Sequence, residues 1–501
     1  MRVRKINSVG IDVGTTTSQA IFSELVLVNS AAASEVPRYD FSKRDITYIS
    51  PIVFTPRDKE NHIDGLELLH FIDQQYSEAN LDINDVESGA IIITGEASKA
   101  SNARDTIMEI ADQLGDFVVA TAGPHLESVI AGHGSGAAEY SKQKGARVLN
   151  IDIGGGTSNY SVFVAGELRD TSCLNIGGRL IELDQYGCAN VVHKPAMQVV
   201  EKLFGDASKA QLESIARRPA DERYSVHYHD SQTRQVVCGG LTKDQINKVV
   251  EAMAGLICEI IFGEPSDLAR DLLMTNALSE CAPYDAVFIS GGVGECYYKK
   301  LENDVAFGDV GPALARALRK DARFSSLNVL KPDNTLRATV IGAGMHTLSL
   351  SGSTIWLSYD KLPIRNVPVL HVANDVADEI DNIVQSWQDA ALVRDLDINH
   401  DSYVICVPEH LPVNYKAVQL CAGAIAEFAK LRQQNSHPLL ILAAQDFGKA
   451  LGMELQYTLG ETNLAVIDEV KVREWDYIDI GKGMFNDSVV PLTIKSLAFP
   501  S

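Results

Sequence analysis

The chain has 501 residues, too many for one hydrophobic core and enough for about two to four domains. Apolar residues make up 46% and charged residues 22%, the balance of a soluble globular protein, and no apolar run is long enough to span a bilayer. Forty-four basic against 66 acidic residues give a net charge of −22, which argues against a nucleic-acid-binding surface and against an anionic membrane partner.

The N-terminus, Met1-Arg-Val-Arg-Lys-Ile-Asn7, is basic but is not followed by the apolar stretch of a signal peptide. Ser8–Asp12 is a short apolar strand, and a second strand runs through Phe22. Ile46–Phe54 reads as a strand, Leu66–Ser77 as an amphipathic helix, Ala90–Thr94 as a buried strand, Ala100–Leu114 as a helix and Phe117–Ala120 as a strand. Pro124 suits the first turn of a helix running from His125 to about Tyr140.

Leu149–Ile153 and Tyr160–Val164 flank a turn of three glycines, and Ala165-Gly166 turns the chain into a further strand. Ile176–Asp184 reads as a helix start behind a glycine pair, and Ala207–Gln235 as a polar helical insertion. Leu241–Phe262 carries apolar residues at helical spacing. Ala286–Ile289 is a buried strand ending on Ser290-Gly-Gly-Val-Gly-Glu295. Ala338–Met345 is rich in Gly and Ala, like Gly132 and its neighbours, which fits a closely packed helix. Beyond Ser351, strands at Ser402–Val407, Leu439–Ala443 and Leu464–Val470 alternate with helices at Tyr415–Arg432 and Phe447–Leu459. The eight cysteines are scattered with no C-x-x-C pair, which reads as reduced thiols of a cytoplasmic protein.

The chemistry lies in a repeat. Ile11-Asp-Val-Gly-Thr-Thr-Thr-Ser-Gln19 and Ile151-Asp-Ile-Gly-Gly-Gly-Thr-Ser-Asn159 agree at five of nine positions, 140 residues apart. That spacing is far beyond a solenoid period and fits a duplicated domain. Each copy is a hairpin with an acid at the end of its first strand. The glycines let the backbone approach a ligand and turn its N–H groups toward phosphate oxygens. Asp12 and Asp152 are the acids that could hold a hydrated Mg²⁺, a cation that keeps several waters and uses one or two carboxylates.

Taken together, these sites resemble the actin-like ATPase superfamily. Asp12–Thr17 is similar to its first phosphate motif, Asp152–Thr157 to its second, and Ser290–Gly294 to its adenosine motif. Pro124–Gly134 and Val340–Met345 are similar to its connecting helices, and Ile176-Gly-Gly178 with Asp184 to a following glycine pair. The resemblance implies a two-lobed actin-like (duplicated, ribonuclease H-like) α/β ATPase fold plus a C-terminal α/β domain. The expected boundaries are 1–145, 146–350 with an insertion around 180–285, and 351–501.

It further implies ATP or ADP with Mg²⁺, with Asp12 and Asp152 at the metal. Gly14, Thr15, Thr16, Thr17, Gly154, Gly155, Gly156 and Thr157 would lie at the phosphates, and Gly291, Gly292 and Gly294 at adenosine. Hydrolysis needs a group that orients water. The resemblance puts an acid before the proline of the first connecting helix, where this chain has Gly123; Glu127 is the candidate in its place, His125 a lesser one, and the expected ATPase is weak.

More closely, the whole chain resembles the family of ethanolamine ammonia-lyase reactivating factors, in stretches such as Gly123–Gly132, Leu439–Lys449 and Asp476–Lys482. That implies a chaperone-like partner of ethanolamine ammonia-lyase that releases damaged cobalamin so that adenosylcobalamin can bind. The implied location is the cytoplasm, with a possible place in a bacterial ethanolamine microcompartment. A small-molecule kinase or another actin-like ATPase is the alternative; against the kinase stands the lack of a catalytic acid motif after the first hairpin.

Overall fold

A computed structural model describes residues 3–14, 17–29, 39–58, 62–94, 103–114, 117–184, 187, 189–205, 227–229, 236–238, 241–299, 301, 303, 306–332, 345–350, 356–357, 364–372, 378–432, 434–460, 463–480 and 491–496. The chain divides into two compact units, residues 1–123 with 343–499, and residues 124–342.

The first unit opens with β1 (Val3–Val13), β2 (Thr17–Asn29), β3 (Tyr39–Ile49), β4 (Val53–Phe54), β5 (Val86–Thr94) and β6 (Phe117–Ala122). They form one sheet in the order β3-β2-β1-β5-β6, with β4 on β2; β1, β5 and β6 are parallel. Alternation decides the faces: Val9, Ile11, Val13, Ile91 and Ile93 point together into a core with Leu68, Ile72, Ile107 and Ile110 from helices Gly65–Glu78 and Ala103–Leu114. Asp64 starts the first of these helices by accepting from the N–H groups of Leu66 and Glu67.

The second unit repeats the arrangement. Its strands β7 (Arg147–Ile153), β8 (Ser158–Val164) and β9 (Glu167–Leu174) are followed by the hairpin of β10 (Ile181–Leu183) and β11 (Ala189–Val192). A small sheet of β12 (His227–His229), β13 (Val236–Cys238) and β14 (Leu241–Thr242) precedes β15 (Ala286–Ser290) and β16 (Val329–Leu330). The main sheet runs β16-β15-β7-β8-β9, with β7, β15 and β16 parallel. This is the order of the first sheet, strand for strand. The duplication seen in the hairpins therefore extends to the whole α/β lobe, the actin-like, ribonuclease H-like architecture. Helix Lys243–Phe262 covers one face of β7, where Leu149, Ile151 and Ile153 meet Val249, Val250 and Ile257. A capping box of Thr242 and Gln245 fixes its start.

The remaining strands return to the first unit: β17 (Met345–Leu350), β18 (Trp356–Leu357), β19 (Ile364–Leu370), β20 (Val404–Cys406), β21 (Leu439–Leu442), β22 (Leu464–Ile467), β23 (Asp476–Ile480) and β24 (Pro491–Ser496). β19 to β22 are parallel neighbours in chain order. The intervening helices, Ile380–Val393, Tyr415–Leu431 and Gly448–Leu459, share one core on one face of these strands, packed by Trp387, Phe428 and Leu451.

The unit boundaries differ from the sequence-based 145 and 350 for two physical reasons. Helix Pro124–Gly134 packs on β8 and β9: a Cβ on Gly132 would lie 2.4 Å from Ser161 Oγ, and His125 Nδ1 lies 2.7 Å from Thr171 Oγ1. The C-terminal strands, for their part, are tied to β6. The Asn366 side chain accepts from Val119 N–H at 3.1 Å and donates to Val119 C=O, the two bonds a neighbouring strand would make. Lys495 Nζ, almost fully buried, bonds Phe117 C=O at 3.2 Å and pairs with Asp479 at 2.7 Å. Asn366→Ala leaves both polar groups of a buried Val119 unpaired, an expected loss of about 2–4 kcal/mol. Calorimetry would show it as an earlier transition; an unchanged profile would refute the tie.

Two further elements differ from the sequence reading. The helix expected over 125–140 is two, Pro124–Gly134 and Ala137–Lys144, because Gly136 turns the chain at φ +84°. Ile176–Asp184 is no helix start: after the glycines, Ile181–Leu183 pairs with β11. Most of Ala207–Gln235, and 338–344 of the Gly/Ala-rich segment, lie outside the described residues. Among the described residues, no helix is long and apolar enough to cross a membrane.

Candidate functional site

Each lobe builds the same hairpin tip by the same bonds. In the first, Asp12 pairs with Gln19 and Val13 with Ser18, and Gly14 N–H closes the turn on Thr17 C=O at 3.0 Å. In the second, Asp152 pairs with Asn159 and Ile153 with Ser158, and Gly154 N–H closes on Thr157 C=O at 3.0 Å. The acids are held alike too. Thr94 Oγ1, at the end of β5, lies 3.3 Å from Asp12 Oδ1, and Ser290 Oγ, at the end of β15, donates to Asp152 Oδ1 at 2.8 Å. In both sheets the parallel neighbour of the acid's strand ends on a hydroxyl.

The second tip is the fuller. Asn150 lies on the same face of β7 as Asp152, two residues back. Its Nδ2 is 3.3 Å from Ser290 Oγ, which leaves the serine hydrogen for the carboxylate. Burial pushes the Asp152 carboxyl up to about 6, against the opposing pull of the Ser290 bond. Asn159 Oδ1, on the residue paired with Asp152, is buried without a hydrogen-bond partner. A buried carboxylate held at this cost is a natural seat for a cation, which would favour its charged form. Among the described residues no three His, Cys, Asp or Glu side chains converge as a metal cage. One or two carboxylates and bound water, the pattern of Mg²⁺, is what the residues fit.

The glycines divide into two kinds. Gly177 is imposed by the protein, since a Cβ there would lie 2.5 Å from the backbone C and O of Gly155. Gly178 N–H donates to Gly154 C=O at 2.9 Å and Arg179 N–H to Gly155 C=O at 2.7 Å, so this pair props the loop from behind. Gly291, at φ +80°, would strike Ile153 C=O at 2.5 Å, and Gly294 would strike Ile289 C=O at 2.9 Å. At Gly156 and Gly292, by contrast, a Cβ would meet no atom of the described residues within 4 Å, and neither φ is left-handed. Among the described residues nothing calls for glycine at these two positions; a ligand lying against the backbone would.

Asp152, Gly154, Gly155, Gly156, Thr157, Gly291, Gly292 and Gly294 are thus brought together in the second unit. In the first, Asp12, Gly14 and Thr17 share one tip, with Thr55 Oγ1 donating to Gly14 C=O at 2.7 Å; Thr15 and Thr16 lie outside the described residues. Glu127 is half-buried in the first turn of helix Pro124–Gly134. His125 is engaged with Thr171, and burial lowers its pKa. Thr94 and Asn150 were missed from the sequence, and Ser290 was read only as part of a glycine motif. The available signal was a hydroxyl residue ending each parallel strand.

The family described as ethanolamine utilisation protein EutA matches residues 4–217 and 218–500. A protein of Salmonella typhimurium (strain LT2) named ethanolamine ammonia-lyase reactivase EutA is 49% identical over 501 residues, covering 100% of both chains. A protein of the same name from Escherichia coli (strain K12) is 50% identical over 501 residues, again covering 100% of both. Among solved structures, a Ppx/GppA family member from Aquifex aeolicus matches at TM-score 0.37 and 12% identity, over 68% of this chain and 97% of that one. The fold assignment rests on the repeated strand order, not on that likeness.

Proposed function

The chain belongs to the ethanolamine utilisation protein EutA family, and on that premise we propose that it is a reactivating factor of ethanolamine ammonia-lyase. The observation that carries this is the end-to-end identity of about half with two proteins named as reactivases of that lyase, over a span that takes in the C-terminal part as well as the two lobes.

The finer reading is that the protein uses ATP, with Mg²⁺, to release damaged cobalamin from the inactivated lyase so that adenosylcobalamin can enter. Mg²⁺ would neutralise charge on the β- and γ-phosphates. Asp12 and Asp152 would hold its water shell. Gly14, Thr15, Thr16, Thr17, Gly154, Gly155, Gly156 and Thr157 would bind phosphate oxygens through N–H and hydroxyl groups. Gly291, Gly292 and Gly294 belong to the adenosine side of this reading, with Gly292 the most open of the three. Glu127 is the acid assigned to the attacking water. The ATPase is a weak one, and the protein works in the cytoplasm, with the ethanolamine microcompartment as its setting.

The test uses the lyase with a cobalamin lacking its adenosyl group in place. The purified chain, ATP, Mg²⁺ and adenosylcobalamin are expected to restore ammonia release. Restoration at the same rate without nucleotide would remove ATP from the mechanism, and no restoration under any condition would remove the reactivase assignment.

A further inference from the structure

In open α/β sheets ligands lie outside the carboxyl ends of the parallel strands. In the first unit that edge carries Asp12 from β1 and Thr94 from β5. The register pairs Thr94 with Ala122, the last residue of β6, so Gly123 stands one step beyond β6 on the same edge. Gly123 is not glycine for the sake of its backbone, whose φ lies outside the left-handed region. A Cβ there would lie 2.4 Å from Cγ, 2.5 Å from Cβ and 2.7 Å from Oδ1 of Asp395. The space a side chain at 123 would fill is occupied by a carboxylate from the C-terminal half of the same unit.

Asp395 is placed with care. It follows helix Ile380–Val393 and adopts φ +55°, a left-handed conformation uncommon for a residue with a side chain. Its N–H donates to Leu392 C=O at 3.0 Å. The preceding Arg394 is buried, donates through Nη2 to the carbonyls of Glu474 and Asp476, and lies 5.1 Å and 5.3 Å from the ring centroids of Trp475 and Tyr477. The chain reversal is thereby fixed from behind while Asp395 stays partly exposed.

We propose that Asp395 is a further acid of the nucleotide site, standing in the side-chain space of Gly123 and orienting the water that attacks the γ-phosphorus. The inference rests on the nucleotide reading above and adds to the first lobe's edge a carboxylate from the C-terminal part of the same unit. In the step, water oxygen bonds to the γ-phosphorus and the bond to the β–γ bridging oxygen breaks. ADP keeps that electron pair, and the water's hydrogen-bonded proton passes by way of the carboxylate to solvent, giving ADP and phosphate. It makes the C-terminal α/β part a contributor to chemistry on the first lobe's edge.

Binding and cleavage, measured separately on the full chain, decide the matter. Mg²⁺-ATP binding is followed by calorimetry, and cleavage by single-turnover release of γ-labelled phosphate over hours. Asp395→Gly suits φ +55° and so preserves the fold, and Asp395→Asn preserves the shape. Both are expected to bind ATP within about threefold of the parent and to cleave it roughly 100-fold more slowly. Because residue 123 can carry a side chain once Asp395 is gone, Gly123→Asp with Asp395→Gly is expected to regain about tenfold of the lost rate. An unchanged cleavage rate in Asp395→Gly, or a parent chain that binds ATP and never cleaves it, overturns the proposal while leaving the nucleotide reading in place. A parent that does not bind ATP overturns the nucleotide reading itself, and this inference with it.

Discussion

Asp152→Asn will melt at a higher temperature than the parent chain at pH 7 without nucleotide, and will no longer be stabilised by ATP and Mg²⁺. The first half follows from linkage. A carboxyl raised from 3.8 to about 6 in the fold binds its proton more tightly folded than unfolded. The stability that proton contributes is fully present below about pH 4 and is lost as the pH rises through about 6. At pH 7 the buried charge therefore costs on the order of 2–3 kcal/mol against a neutral isostere. The amide keeps an acceptor for Ser290, and it adds a donor on the residue paired with Asn159, whose buried Oδ1 has no partner. Melting curves at pH 4 and pH 7 check the sign, because the advantage of the variant must vanish at the lower pH. Should Asp152→Asn be less stable than the parent at pH 7, the charge is not held at a cost and the argument for a cation seat fails. The second half is read from the same melts with ATP and Mg²⁺ added, where only the parent gains.

Gly177→Ala is expected to weaken ATP binding by about 10–100-fold, or roughly 1.4–2.8 kcal/mol, with a stability loss of about 1–3 kcal/mol. The methyl would stand 2.5 Å from the backbone of Gly155 and 2.7 Å from that of Gly156, and backbone cannot swing aside as a flexible side chain can. The loop must shift, and with it the N–H groups that the nucleotide reading aims at phosphate. Gly156→Ala is the companion experiment. Its methyl meets no atom of the described residues within 4 Å, so stability should hold while affinity falls wherever a phosphate fills that space. Full affinity in Gly156→Ala, measured by calorimetry, would take the loop out of the site.

The hairpins were legible because their chemistry is local. An acid, a turn and a second strand lie within nine residues, and the repetition at 140 residues marked them as a duplicated unit. Helix Lys243–Phe262 was legible for a similar reason, since its apolar residues keep helical spacing through five turns. Ile176–Asp184 misled because Gly177 and Gly178 serve contacts with Gly155, Val293 and Gly311 that no local pattern displays. Asn366 and Asp395 were illegible in the strict sense. Each looks like an ordinary loop residue, and its meaning lies in a backbone group more than 200 positions earlier in the chain.

The tie at Val119 bears on how the molecule avoids self-association. β6 is the last strand of its sheet, and Phe117–Ala122 is a six-residue run of Phe, Val, Val, Ala, Thr and Ala without charge or proline. A free edge of that composition is a template on which strands of other molecules add, the first step toward fibrils. Asn366 and Lys495 occupy the hydrogen-bonding groups of Val119 and Phe117 that a foreign strand would recruit. The C-terminal part thus acts as a stopper on sheet growth, and shortening the chain to its two lobes would trade a bounded sheet for a sticky one.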